Sequence, residues 1–302
     1  MSRPSPLLIA DTPWLLYRSF FALPKSIVDG EGRPVNALLG TVNALLGLID
    51  GRLPAQRPRC VVACMGAEQA DYRVRLYPAY HAHREQMPAE LAAQWELAPR
   101  LLESLGWTVS ASEELEADDV MHSFAREEEA GGGRALLLSG DRDLFGAVSG
   151  RVAVLQLGKG GERVEIGPAE VRERYGVDPQ LVPDFIALRG DPSDGLPGAP
   201  GIGAKTAAEL LRRYGSLEGA LQAAQTLAEI VRRGDGTMSP RTAASLRENE
   251  QLLRTFKQIA TLQRIDVVRP PDRPTDFAGG ARRARELGMK RLAERLEGMA
   301  GA

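Results

Sequence analysis

The sequence predicts an α/β domain, a parallel sheet wrapped by helices, followed by a smaller all-helical domain. Three observations predict it. Short apolar runs alternate with helical stretches as far as residue 157, the order expected of βαβ units. From Pro168 onward the pattern is helix and turn alone. The charge is divided unevenly: residues 1–200 hold 20 Lys/Arg and 28 Asp/Glu, a balance of −8, whereas residues 201–302 hold 18 and 12, a balance of +6.

The first strand is the run Leu7–Ala10, closed by Asp11, and a helix follows from Pro13 through Trp14, Tyr17, Phe20 and Phe21. A second helix is expected over Asn36–Asp50 and a second strand over Cys60–Cys64. Next come a segment rich in Arg, Tyr and His and a helix from Pro88 to Leu105, stopped by Gly106. Trp107–Ala111 reads as a strand and Ala117–Glu129 as a helix. Ala135–Ser139 reads as a fourth strand after the Gly131-Gly132-Gly133 turn, and Val152–Leu157 as a fifth. The change of pattern places a domain boundary between 165 and 180. The tail beyond 266 interleaves Arg282, Arg283, Arg285, Lys290, Arg291 and Arg295 with Leu287, Met289, Leu292 and Leu296, which suits one amphipathic helix packed on the domain.

With 302 residues, 43% hydrophobic and 26% charged, the chain can bury a sizeable core, and wholesale disorder is excluded. The longest apolar stretch, Ala37–Ile49, is broken by Gly40, Thr41, Asn43 and Gly47 and is shorter than the roughly 20 residues of a membrane span. With no signal-peptide pattern either, a cytoplasmic location and no membrane partner are expected. Cys60 and Cys64, the two cysteines, read as buried core thiols rather than a disulfide or zinc pair.

In an open α/β sheet the functional crevice lies beyond the carboxyl ends of the strands. Asp11 ends the first strand, Glu116, Asp118 and Asp119 follow the third, and Asp141 and Asp143 follow the fourth. Asp191 and Asp194 stand where the helical region begins. Each alone reads as a turn or helix cap. Together they form a cluster whose repulsion calls for hard divalent cations. Oxygen-only ligation suits Mg²⁺ or Mn²⁺, and two such ions suit phosphodiester hydrolysis. The basic second half fits a nucleic-acid partner. Within it, Leu196–Thr206 reads as a Gly-rich hairpin entering a helix, an anion site for a phosphate. It is not a Walker A loop, because Ala204 separates Gly203 from Lys205 and no strand precedes it.

The runs Leu115-Glu-Ala-Asp-Asp119, Gly140-Asp-Arg-Asp143, Leu188-Arg-Gly-Asp-Pro-Ser-Asp-Gly-Leu-Pro-Gly198 and Gly201-Ile-Gly-Ala-Lys-Thr-Ala207 resemble the 5′ nuclease family. That family comprises flap endonucleases, phage 5′ nucleases and the 5′→3′ exonuclease domain of bacterial DNA polymerase I. The resemblance runs from about Leu7 to Asp266. It implies a PIN-like α/β nuclease domain (1–175) with a helical arch, a helix-hairpin-helix DNA-binding domain (176–266) that can hold K⁺, and a C-terminal helical extension (267–302). The length resembles that of a free-standing bacterial exonuclease, expected to be monomeric and to act on DNA with 5′ ends, flaps or junctions.

Position by position, the resemblance implies that Asp11, Glu116 and Asp118 favour one Mg²⁺ or Mn²⁺ ion and Asp141, Asp143 and Asp191 another. Asp119 and Asp194 would bridge through water. It also implies that Arg84 and Arg18 contact the transferring phosphate, and that Arg73 and Tyr80, with Gly198, Gly201, Gly203, Lys205 and Thr206, touch DNA. The sequence departs from the family's pattern twice. Met65, or a close neighbour, stands where the family has an aspartate, with Glu68 the nearest acid. His81 replaces an arch lysine beside the scissile phosphate and supplies less positive charge at neutral pH. The leading reading is a metal-dependent 5′→3′ exonuclease and flap endonuclease. The alternatives are a weakly active or inactive DNA-junction binder that keeps the fold and, more distantly, a PIN-type ribonuclease.

Overall fold

The computed structural model describes residues 5–49, 57–158, 162–230 and 238–301. Six strands form one sheet in the order β3-β2-β1-β4-β5-β6: β1 (Leu7–Asp11), β2 (Cys60–Cys64), β3 (Thr108–Ser110), β4 (Ala135–Leu138), β5 (Val152–Leu157) and β6 (Arg163–Ile166). The first five are parallel and β6 runs antiparallel to β5. The sequence reading had no strand at β6. Its alternating Arg-Val-Glu-Ile is a half-exposed edge strand, and a four-residue run of that kind gives little signal.

Leu7–Asp11 lie in register with Cys60–Cys64, and Leu7–Ala10 with Ala135–Leu138. Asp11, Met65 and Ser139 therefore come together at the carboxyl edge. Strand residues point alternately to the two faces, and both faces are buried. Leu7, Ile9, Val62 and Leu137 face one cluster, and Leu8, Ala10, Val61, Leu136 and Leu138 the other.

The second face is covered by α1 (Thr12–Ala22), α2 (Asn36–Ile49) and α4 (Ala89–Ser104), on which α12 (Phe277–Glu286) and α13 (Lys290–Ala300) pack. Asp50, expected to close α2, lies outside the described residues. The tail forms two helices, not one, because Gly288 turns the chain with φ 67° where a Cβ would come within 2.3 Å of the Gly30 nitrogen. Ala281, Ala284, Leu292 and Leu296 are buried there, so the tail packs on the domain.

The first face is covered by α5 (Ala117–Ala130) and by the helical region: α6 (Pro168–Tyr175), α7 (Val182–Arg189), α8 (Ala204–Tyr214), α9 (Leu217–Ile230), α10 (Pro240–Glu248) and α11 (Glu250–Ala260). One apolar cluster runs without a break from Leu7 to Phe256. Both cysteines are buried and free. Between β2 and α4 the chain forms a six-residue helix, α3 (Asp71–Leu76), and then successive turns to Arg84, so the stretch expected to arch over the site is helical only at its start. Pro78 follows the helix, and His81 takes up φ 53°.

Candidate active site

Asp11 does two things at once. Its Oδ1 accepts from the Trp14 N–H (2.9 Å) and caps α1, while its Oδ2 accepts from Ser139 Oγ (2.6 Å). That hydroxyl also accepts from the Asp141 N–H at 3.0 Å, so buried Ser139 ties the ends of β1 and β4 together. The sequence reading missed Ser139; its position directly before Gly140-Asp141 was the available signal. The Asp143 N–H in turn donates to Asp141 Oδ1 at 2.8 Å. Asp118 lies in the first turn of α5, where the helix dipole favours a carboxylate. The chain reaches that helix closely after β2, because a Cβ at Gly66 would come within 2.3 Å of the Ala117 nitrogen.

Across the cluster, burial pushes Asp118 and Asp143 well above the ordinary carboxylate range, and Asp141 is the chief repelling charge for both. Burial also lifts Asp141, to about 6, with Asp194, Asp11 and Asp191 adding repulsion against the bond from Asp143. Asp11 is raised by burial, partly offset by Ser139, Trp14 and Arg84. Asp194 goes the other way: burial pushes it up, but the bond from His81, a bond from the Asp143 side chain and the charge of Arg84 outweigh it. Asp191 holds Ser193 through that residue's backbone N–H (2.9 Å) and hydroxyl.

Two spaces meet at these acids. A small polar cavity of about 20 Å³ is lined by Asp118, Asp141, Asp143, Asp194, Glu116 and Arg84, among others. A cleft of about 880 Å³ opens from Asp11, Asp118, Asp141 and Asp191 toward an aromatic wall of Trp14, Tyr17, Phe21 and Trp95. Arg84, Arg142 and Arg189 also line the cleft, the last two not foreseen from the sequence. Arg84 donates from Nη1 to the Glu68 carbonyl at 3.1 Å. Arg18 is exposed, with its guanidinium 5.6 Å from the Trp14 ring centre.

Several expected site residues are committed to buried partners; of these Arg73, Tyr80 and His81 line the small cavity but not the cleft. Asp119 is fully buried and lines neither space; its Oδ1 takes Arg73 Nη2 (2.9 Å) and the Gln263 N–H (2.7 Å). Arg73, 4% exposed, is the centre of that buried network. It also pairs with Glu116 (3.2 Å) and donates to the Ile259 carbonyl, so it cannot reach DNA. Tyr80, 3% exposed, likewise gives its hydroxyl to Glu116 (3.0 and 3.1 Å) rather than its ring to a base. Glu116 additionally accepts from the Ala70 N–H, which leaves its carboxylate largely occupied.

His81 is buried with Nε2 2.8 Å from Asp194 Oδ1, so it does not stand in the cleft as a phosphate-gripping cation. Met65 is buried at the end of β2 and Glu68 is on the cleft wall, where it accepts from the Tyr17 hydroxyl at 2.6 Å. Gly198 is buried too. With φ 68° it stands so close to Gly190 that a Cβ would come within 2.3 Å of the Gly190 nitrogen; it shapes the hairpin and does not offer itself to a phosphate. Gly201, Gly203 and Lys205 are exposed and Thr206 half-buried at the start of α8, whose cap residue Gly203 provides no side chain to satisfy the first N–H groups.

Among the described residues, no group of three or more His, Cys, Asp or Glu side chains is arranged to hold an ion by itself. The fit to a metal is one of donor chemistry and charge. Asp11, Asp118, Asp141, Asp143, Asp191 and Asp194 are oxygen donors at one site; burial raises Asp11, Asp118, Asp141 and Asp143, and repulsion from neighbouring acids adds to the rise of the last three. Hard divalent cations relieve such crowding and complete their coordination with water.

Residues 6–176 match the family described as 5′-3′ exonuclease, N-terminal resolvase-like domain, and residues 177–272 its C-terminal SAM fold. A 5′-3′ exonuclease of Mycobacterium tuberculosis is 35% identical over 95% of this chain and 93% of its own length. DNA polymerase I of Mycobacterium leprae is 37% identical over 87% of this chain, which spans 28% of that protein. A bacteriophage T5 flap endonuclease variant, solved as a pseudo-enzyme–product complex with DNA and metal ions, shares the fold with a TM-score of 0.64 at 18% identity, over 98% of this chain and all of its own. With both halves matched in order and a full-length relative at this identity, the chain belongs to the 5′-3′ exonuclease family.

Proposed function

We propose that this protein hydrolyses DNA phosphodiesters at 5′ ends and 5′ flaps, in replication and repair, with Mg²⁺ or Mn²⁺ ions held at the carboxyl edge of the sheet. The observation that carries the proposal is the crowding of Asp118, Asp141 and Asp143 beside a cleft that also holds Arg84, Arg142 and Arg189. Asp11, Asp118, Asp141, Asp143, Asp191 and Asp194 would hold the ions, and Ser139 fixes Asp11 and Asp141 relative to each other. Divalent cations held there would supply Lewis acidity toward water and phosphate oxygens. The guanidiniums of Arg84 and its cleft neighbours offset negative charge on the transferring phosphate. Exposed Gly201, Gly203 and Lys205, with Thr206, would grip a duplex phosphate through backbone N–H groups at the start of α8 and the ammonium, and a K⁺ ion would accompany the phosphate at this hairpin.

The parts 1–175, 176–266 and 267–302 then divide the labour as nuclease, duplex grip and packed extension of a monomer. A second reading, a weakly active junction binder, is favoured by buried Met65 at the acid edge and by the withdrawal of His81 from the cleft. The deciding experiment offers a labelled 5′-flap duplex, a blunt duplex and a single strand with Mg²⁺, and maps the products. Cutting near the flap junction supports the nuclease; tight binding of the flap without any cutting supports the binder.

A further inference from the structure

We infer that His81 is a positioning residue that latches the turns following α3 to the loop following α7 and so fixes Asp194 and Arg84 relative to each other. The inference rests on the proposed nuclease reading for its catalytic consequence and on geometry alone for the latch. Among the described residues, His81 is the one non-glycine residue with positive φ, 53°, an unfavourable backbone state that persists where the surroundings enforce it. Its surroundings do so from both sides. The His81 N–H donates to the Asp194 carbonyl at 3.1 Å, and Nε2 lies 2.8 Å from Asp194 Oδ1. The His81 carbonyl accepts from the Arg84 N–H at 2.9 Å. The imidazole stacks on Tyr80 with ring centres 3.9 Å apart and planes at 25°, and Tyr80 is anchored on Glu116.

The loop that carries Asp194 is shaped to receive this contact. Gly195, with φ 75°, lets the chain pass so close that a Cβ there would come within 2.8 Å of the Ala79 carbonyl. One residue thus bonds by backbone and side chain to Asp194 and by backbone to Arg84, both of which line the small cavity. Because Asp194 and Arg84 come from segments 110 residues apart in sequence, rigid docking between them needs such a tie. Small displacements of catalytic groups carry large rate penalties, which makes the tie consequential.

The test compares wild type with His81→Ala, His81→Asn, Asp194→Asn and the His81→Ala/Asp194→Asn double variant. Asparagine keeps a side-chain donor and tolerates positive φ better than most residues. The latch predicts that His81→Ala slows single-turnover flap cleavage by about tenfold or more at near-constant flap affinity, that His81→Asn restores most of the rate, and that adding His81→Ala to Asp194→Asn costs under about threefold. It also predicts that metal-free His81→Ala is cut by trypsin after exposed Arg84 several times faster than wild type, with His81→Asn in between. Additive losses in the double variant, or weakened flap binding at an unchanged rate, would instead make His81 a phosphate contact and overturn the latch. Unchanged proteolysis would overturn it as well. If wild type cut no flap DNA, the nuclease reading would fail while the proteolysis series still decided the latch.

Discussion

Asp141→Asn should make the metal-free protein more stable while destroying its activity, and the size of the gain follows from the site. Burial and the neighbouring acids raise this carboxyl from 3.8 to about 6. At 1.36 kcal/mol per pH unit, keeping it ionised at about pH 7.5 costs the native state up to roughly 3 kcal/mol. The sign follows from proton binding. A carboxyl whose folded value lies above its unfolded value holds its proton longer in the native state. The penalty is therefore absent below about pH 4, develops between about 4 and 6, and is complete above. Asparagine carries no charge and retains an Oδ1 to accept from the Asp143 N–H, so the local turn survives. Thermal unfolding in EDTA should show the variant melting several degrees higher at about pH 7.5, with the difference nearly gone at about pH 4. Added Mg²⁺ should raise the melting temperature of wild type more than that of the variant. A variant that is less stable than wild type at both pH values would refute the argument that the acids repel one another in the empty site.

Arg73→Met should destabilise the protein by about 3–5 kcal/mol in chemical denaturation, because Asp119 is then left fully buried, and Glu116 part-buried, without their cation. Lys205→Ala should weaken duplex binding across all sequences and make the salt dependence shallower by about one phosphate contact, as measured by fluorescence anisotropy at several salt concentrations. Met65→Asp, adding a carboxylate beside Asp11 at the end of β2, should lower the metal-free melting temperature while reducing the Mg²⁺ concentration needed for half-maximal cleavage. An unchanged Mg²⁺ requirement would show that residue 65 does not face the ions.

The sheet and the acid edge were legible in the sequence because both depend on local pattern. Apolar runs ending in Asp11 or in Ser139-Gly140-Asp141 announce where each strand stops, and strand ends on one edge bring their acids together. What the sequence hid depends on which remote groups meet. Arg73 looks like a DNA-binding arginine until its partners are known, and those lie 46 and 186 residues away, at Asp119 and Ile259. The same holds for Tyr80 and His81, whose aromatic and basic character suits nucleic acid but is spent on Glu116 and Asp194. The aromatic wall of the cleft comes from Tyr17 and Phe21 on α1 and Trp95 on α4, which the sequence places on separate helices with nothing to bring them together; Phe21 is 72% exposed. Asp119 illustrates the limit of spacing arguments. It sits next to Asp118, yet one step along a helix turns a side chain by about 100°, from the cleft into the core.

The most direct test of the central claim, that the carboxyl edge is a divalent-cation-dependent phosphodiesterase centre, is the single-turnover rate of 5′-flap cleavage as a function of Mg²⁺ and Mn²⁺. It should be measured for wild type and for Asp143→Asn, whose carboxyl is among the most strongly perturbed at the site. Expected are no cleavage in EDTA, a saturable rise with either ion for wild type, and no measurable rate for Asp143→Asn even though it binds the flap about as well. Metal-independent cleavage, or an Asp143→Asn variant as fast as wild type, would contradict it.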